Sequence, residues 1–282
     1  MPRPSSLLVG TSVAALACAV FIPVSAEQAV PTPQAPAETP RPAFPGPVLP
    51  VAPEGPGGRG RGLPVPISED DAGFQALFDG KTLNGWDGNP ALWRVEGGVI
   101  MGETKADTVL QRNTFLIWKG GPVRDFELKL EVQLSGDLAT ANTGVIYRGV
   151  PAGDQWSIKG YQADMDLMGY YSGNLHGERD CPCQMAPRGQ FSRADPQGNI
   201  RLVGRISDPD ALRGQLNIGG WNRYHLIVRG NVHVLIMNGF VTALFISDEA
   251  NSRWATEGML GLQLHNGPSE RVMFRNVLYR KY

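Results

Sequence analysis

From Asp125 to Leu134 the chain alternates strictly: Phe126, Leu128, Leu130, Val132 and Leu134 are separated by Glu127, Lys129, Glu131 and Gln133. A period of two puts the apolar set on one side of a β-strand and the charged set on the other, so this strand is predicted to have a wet face. Similar runs predict strands over 93–101, 143–150, 221–229, 232–237, 240–247, 259–265 and 272–279. Asn238-Gly239 and Gly230-Asn231 join the three runs over 221–247, and such pairs suit tight hairpins, so these runs read as a meander. Residues 183–209 carry little period and read as a long loop bordering a pocket. Many short strands with almost no helical period and no fixed repeat predict an all-β, two-sheet antiparallel jelly-roll sandwich.

The pattern changes toward the N-terminus. Residues 1–26 hold Arg3, an apolar run from Leu7 to Ile22 and the small-residue end Val24-Ser25-Ala26, the grammar of a secretory signal peptide. The run is short for a membrane span, so no span is expected after cleavage. Residues 27–71 are rich in Pro, Ala, Gly and Val and read as a disordered tether, with the folded domain over 72–282. The high Gly and Pro content, 35 and 23 residues, fits a turn-rich β-protein carrying such a tether. A net charge of -1 leaves no basic stripe for nucleic acid, and two arginines at Arg59 and Arg61 do not make one. The expected place is the periplasm or outside the cell, and the expected ligand is polar and neutral.

Candidate chemistry centres on Gly160-Tyr161-Gln162-Ala163-Asp164-Met165-Asp166. Tyr161, Ala163 and Met165 fall on the core side, leaving Gln162, Asp164 and Asp166 on the other. His176 and Glu178 follow closely, and such a set can move protons or hold a divalent cation. Arg148 has the phase of Asn142, Gly144 and Ile146 and is expected beside Asp164, where a guanidinium can hold a carbonyl or make a structural ion pair. Gln263 and His265 share one side of a strand end. Among Trp118, Trp156 and Trp254, Trp156 best suits stacking on a sugar ring. Cys181-Pro182-Cys183 leaves open a disulfide, free thiols or, with His176, Glu178 and Asp180, a metal site of no standard spacing. Trp86 and Phe126 are expected in the core.

Read in order, Phe74-Gln75-Ala76-Leu77-Phe78-Asp79-Gly80-Lys81-Thr82-Leu83-Asn84-Gly85-Trp86, Trp93 to Ile100, Asp125-Phe126-Glu127-Leu128 and Asn142 to Arg148 resemble the 3-keto-disaccharide hydrolase family. So do Gly160-Tyr161-Gln162, Trp221-Asn222-Arg223-Tyr224, Gly261 to His265 and Phe274-Arg275-Asn276-Val277. The resemblance implies a concanavalin-like or laminin G-like jelly roll, usually secreted, whose members cleave glycosides already oxidised to a ketone at carbon 3. Many members carry Glu where this chain has Gln162, and Asp164 stands two residues along the same face. The resemblance implies a small saccharide substrate, with Asp164 or His265 as base and Arg148 at the ketone oxygen. It leaves His176 or Glu178 near the leaving group, and Gln162, Asn142, Gln263 and Trp156 against the sugar. A non-catalytic carbohydrate-binding module of the same fold is the alternative, followed by direct glycoside hydrolysis by Asp164 and Asp166, about 7 Å apart along a strand.

Overall fold

The computed structural model describes residues 71–105, 107, 109–179, 184–248 and 255–282. The expectations placed on residues 1–70 and on Asp180, Cys181, Cys183 and Trp254 lie outside the described residues.

The first strands are β1 (Gln75–Ala76), β2 (Trp86–Asp87), β3 (Trp93–Glu96), β4 (Val99–Glu103), β5 (Thr114–Trp118) and β6 (Phe126–Gly136). Next come β7 (Asn142–Pro151), β8 (Ile158–Asp166), β9 (Leu175–Glu178), β10 (Gln184–Ala186), β11 (Gln190–Ala194) and β12 (Ile200–Arg205). A short helix, α1 (Pro209–Arg213), precedes β13 (Asn222–Arg229), β14 (Val232–Met237), β15 (Phe240–Ser247), β16 (Met259–Leu264) and β17 (Glu270–Lys281). They form a ten-stranded sheet in the order β12-β11-β15-β14-β13-β6-β17-β4-β3, with β1 on β17, and a seven-stranded sheet in the order β10-β9-β8-β7-β16-β5-β2. Pairing is antiparallel except between β11 and β15. This is the jelly-roll sandwich that the alternation predicts.

The core lies where the two apolar sides meet. Phe126, Leu128, Leu130, Val132 and Leu134 of β6 are buried in one cluster with Val145 and Tyr147 of β7, Tyr161, Ala163 and Met165 of β8, and Leu260, Leu262 and Leu264 of β16. Trp86 is buried as well and donates its indole N–H to the Leu77 carbonyl at 2.8 Å. The meander forms β13 to β15, and its turn residues Asn238 and Gly239 both take positive φ, 51° and 86°.

Three expectations are corrected. The run over 93–101 is a hairpin, because Gly97 and Gly98 take positive φ and reverse the chain between β3 and β4. The loop expected over 183–209 contains β10, β11 and β12, which are short and polar enough to hide their period. The expected wet face of β6 is partly roofed: Glu127 and Lys129 are 5% and 8% exposed, with Lys129 over the Phe74 ring and paired to Asp71.

Candidate functional site

The seven-stranded sheet turns its second side away from the core, and register fixes which residues stand there. Gly144 of β7 faces Asp164 of β8, Ile146 faces Gln162, and Gln162 faces His176 of β9. Gln263 of β16 pairs with Phe115 of β5. Neighbouring strands lie about 4.8 Å apart, so a flat sheet would hold β9 and β5 roughly 19 Å apart. Yet Asn113, just before β5, donates to Glu178 Oε1 of β9 at 2.9 Å. The sheet is therefore curled, and its outer side is a trough.

A chain of amides runs across the trough. Gln162 Nε2 donates to Gln263 Oε1 at 2.9 Å, and Gln263 Nε2 donates to Glu178 Oε2 at 3.1 Å. The Gln162 side chain lies over Gly144, where an added Cβ would stand 2.4 Å from its Nε2 and 2.9 Å from the Ala163 carbonyl. Asn142 Nδ2 donates to Asp164 Oδ1 at 3.0 Å. The Asp164 backbone is clamped too, its N–H to the Asn174 carbonyl and its own carbonyl accepting the Tyr224 hydroxyl from the other sheet. His176 and His265 each keep a buried Nδ1 with no hydrogen-bond partner among the described residues.

These surroundings shift protons. Burial lifts the Asp164 carboxyl to about 8 against the Asn142 hydrogen bond, and the charges of Asp166 and Glu178 push the same way. Burial also raises Glu178, while Asn113, Arg179 and Gln263 favour its charged form. Glu270, at the start of β17, is lifted to about 8 by burial although it accepts the backbone N–H groups of Asn142 at 3.2 Å and His265 at 2.7 Å. Burial lowers both His176 and His265, so these imidazoles are neutral at pH 7. Among the described residues none of the three carboxyls makes an ion pair with Arg or Lys. No group of three or more His, Cys, Asp or Glu among them is arranged to hold a metal ion.

Asp164, Gln162, Asn142, Gln263, Glu178, His176 and His265 thus share one face. Arg148 does not join them. It has φ of 49° where the β7 to β8 register shifts between Tyr147 and Val150, and it lies four residues, about 13 Å, along β7 from the partner of Asp164. Its guanidinium is held by the Arg124 carbonyl at 2.7 and 2.9 Å and by Asp125 at 3.2 Å, which corrects its expected place beside Asp164. Asp166 is also engaged elsewhere, accepting the N–H groups of Tyr170, Tyr171 and Ser172 and the Ser172 hydroxyl. Trp156 stands at the trough's β5 end, its carbonyl accepting the Phe115 N–H and its indole donating to Asp87 at 2.8 Å. Trp118 is half-buried, packing on Tyr279 against the edge of the core. Asp79 binds the N–H groups of Lys81 and Thr82 and the Thr82 hydroxyl, and these bonds hold it down to about 2, so that loop is a closed turn.

Sequence reasoning missed Asn113 and Glu270. Glu270 had a signal: it keeps phase with buried Val272 and Phe274, an acid on the core side of its strand. Asn113 had none, because its bond to Glu178 exists only once the sheet curls.

A jelly roll with a curled, amide-lined trough is a frame for holding a polar ligand. The chain belongs to the 3-keto-alpha-glucoside-1,2-lyase-like family, whose model matches residues 73–280, and this makes it a carbohydrate-active, glycoside-acting protein. Two candidate glycosyl hydrolases of Parabacteroides distasonis ATCC 8503 are similar in fold. One is 18% identical, with 74% of this chain and 99% of that one covered and a TM-score of 0.46; the other is 17% identical, with 74% and 94% covered and a TM-score of 0.47. The carbohydrate-binding module CBM66 of Bacillus subtilis is 12% identical over 70% of this chain and 96% of that one, with a TM-score of 0.45. No curated protein matches the chain. Among the described residues no helix is long and apolar enough to cross a membrane.

Proposed function

We propose that the trough cleaves 3-keto glycosides by elimination and rehydration. The observation that carries this reading is the pair Asp164 and Glu178, buried on one face, hydrogen-bonded by neutral amides and without an Arg or Lys ion pair among the described residues. A ketone at carbon 3 acidifies the hydrogen on carbon 2. Glu178, whose charge two amide N–H groups favour, removes that proton and an enediolate forms. An N–H of the neutral His176 imidazole or of the Gln162 amide receives the developing negative charge on the ketone oxygen. Asp164, which holds its proton at neutral pH, gives it to the glycosidic oxygen as the bond to carbon 1 breaks. Water then adds across the carbon 1 to carbon 2 double bond: its hydroxyl goes to carbon 1, its proton restores Asp164, and Glu178, whose carboxyl proton has exchanged with solvent, protonates carbon 2. Asn142 and Gln263 hold the two carboxyls, while His265 and Trp156 line the sugar's ends.

Direct glycoside hydrolysis by Asp164 and Asp166 is disfavoured, since Asp166 is tied to the backbone of 170–172. We also take the chain as exported, with 1–26 a cleaved signal and 27–71 a tether. Mass spectrometry of the secreted protein should then find no Met1, and trypsin should cut at Arg59 or Arg61 before the domain yields.

The deciding experiment is NMR of the protein with methyl 3-keto-glucoside and with methyl glucoside, each with and without chelator. The reading expects release of methanol from the ketone alone. Release from the unoxidised glycoside at a similar rate, or binding of both without turnover, would reject it.

A further inference from the structure

The trough is polar at one end only. Phe115, the partner of Gln263, and Ile146, the partner of Gln162, form a separate buried apolar cluster with Ile158, against which Ile117 and Met259 pack half-buried. Beyond them opens a cleft of about 360 Å³, lined by Ile117, Trp118, Pro122, Gly149 and Met259, with Lys119 at its edge. Gly149 and Gly258 let the backbones of β7 and the start of β16 meet closely at the cleft's wall, since a Cβ on Gly258 would stand 2.3 Å from the Gly149 carbonyl. Trp156 is fixed beside it, because Asp87, which accepts the indole N–H, is the register partner of Ile117. From Gln263 to Met259 is four residues of β16, about 13 Å. The cleft therefore lies along the same sheet beyond the buried Phe115, Ile146 and Ile158, and its lining is hydrocarbon where the trough's is amide and carboxyl.

Resting on the elimination reading above, we infer that this cleft receives the group leaving from carbon 1, and that the preferred leaving group is an apolar alcohol and not a second sugar. A saccharide seated there would leave its hydroxyls against Ile117, Met259 and Pro122 without partners, whereas a hydrocarbon aglycone exchanges water for those side chains.

The test compares cyclohexylmethyl 3-keto-glucoside with methyl 3-keto-glucoside, whose leaving alcohols are of similar basicity, in the parent and in Met259→Ser and Ile117→Thr. The parent is expected to favour the larger alkyl group in kcat/KM by about tenfold, the scale of burying a few methylenes. Each variant should lose most of that preference while cleaving the methyl compound at the parent rate and melting as one folded species. Equal kcat/KM for the two substrates in the parent would overturn the inference, as would variants that lose both substrates in parallel. If neither glycoside is cleaved, the elimination reading falls and calorimetry still decides the cleft. Tighter binding of the cyclohexylmethyl compound by the parent, absent in Met259→Ser, supports it, and equal binding rejects it.

Discussion

The two outer faces of this sandwich carry similar carboxylates in opposite company. On the ten-stranded sheet, Glu103 bonds Arg94 at 2.7 Å and Arg271 at 2.5 Å, Glu131 bonds Arg275, and Glu127 bonds Arg280 and His225. The Arg271 hydrogen bond holds Glu103 below the usual carboxylate range, so that side is a closed ladder of ion pairs. On the seven-stranded sheet, Asp164 and Glu178 are hydrogen-bonded by amide donors and make no ion pair among the described residues; Arg179 acts on Glu178 through its charge alone, and burial lifts both. The company of a carboxylate, more than its presence, separates a structural surface from one able to hold and release protons near neutral pH.

The sharpest way to break this contrast is to neutralise one acid on each face. Asp164→Asn should lower turnover of methyl 3-keto-glucoside by about two to four orders of magnitude, the usual cost of losing a general acid or base. Glu131→Gln, on the opposite face, should leave kcat and KM as they are. Equal losses from the two would erase the distinction.

Next in size is the layer both faces share. Phe126 is fully buried, with Tyr147 edge-on at 5.7 Å and Tyr279 stacked at 5.8 Å, so Phe126→Ala should destabilise the fold by about 3–5 kcal/mol in urea unfolding. An unchanged midpoint would show that the sheets do not depend on that contact.

The lifted and the ion-paired carboxyls should also answer pH with opposite signs. Asp164 and Glu270 keep their protons to about 8 when folded, whereas free carboxyls lose theirs near pH 4. The folded state therefore binds more protons across that window, and this contribution is fully present below about pH 4 and lost as pH rises toward about 8. Glu103 is the reverse: its contribution is present above the unfolded value and lost as pH falls through the folded one. The double variant Asp164→Asn, Glu270→Gln should flatten the alkaline limb, raising Tm at pH 8 relative to pH 5 by several degrees. A limb that keeps the parent slope would contradict the assigned shifts.

Smallest is the effect of adding an acid to the trough. Gln162→Glu removes the N–H that Gln263 Oε1 accepts and sets a new carboxylate near Glu178, so kcat/KM should fall several-fold and recover partly as pH is lowered. A variant faster than the parent at neutral pH would mean that the amide chain is not what positions the pair.

Much of this frame was legible in the chain because alternation records burial directly. The β6 run, the Asn238-Gly239 turn and the split of Tyr161, Ala163 and Met165 from Gln162 and Asp164 all stand as their period implies. Arg148 escaped because the register shift after Tyr147 breaks the period on which its place depended. Asp166 shares the phase of Asp164, yet no period tells that a returning loop will claim its oxygens. The cover over Glu127 and Lys129 was hidden for the same reason: Phe74 and Arg280 reach them from the two ends of the domain.

The central claim, elimination across carbon 1 and carbon 2 in the seven-stranded trough, is tested most directly by running the reaction in deuterium oxide and following early product by NMR. Parent protein should release methanol from methyl 3-keto-glucoside and place deuterium on carbon 2 of the sugar product at the same rate, above a control without protein, with both events lost in Asp164→Asn. Release of methanol with the hydrogen on carbon 2 retained would mean that the bond at carbon 1 breaks by direct displacement, and the account would be wrong.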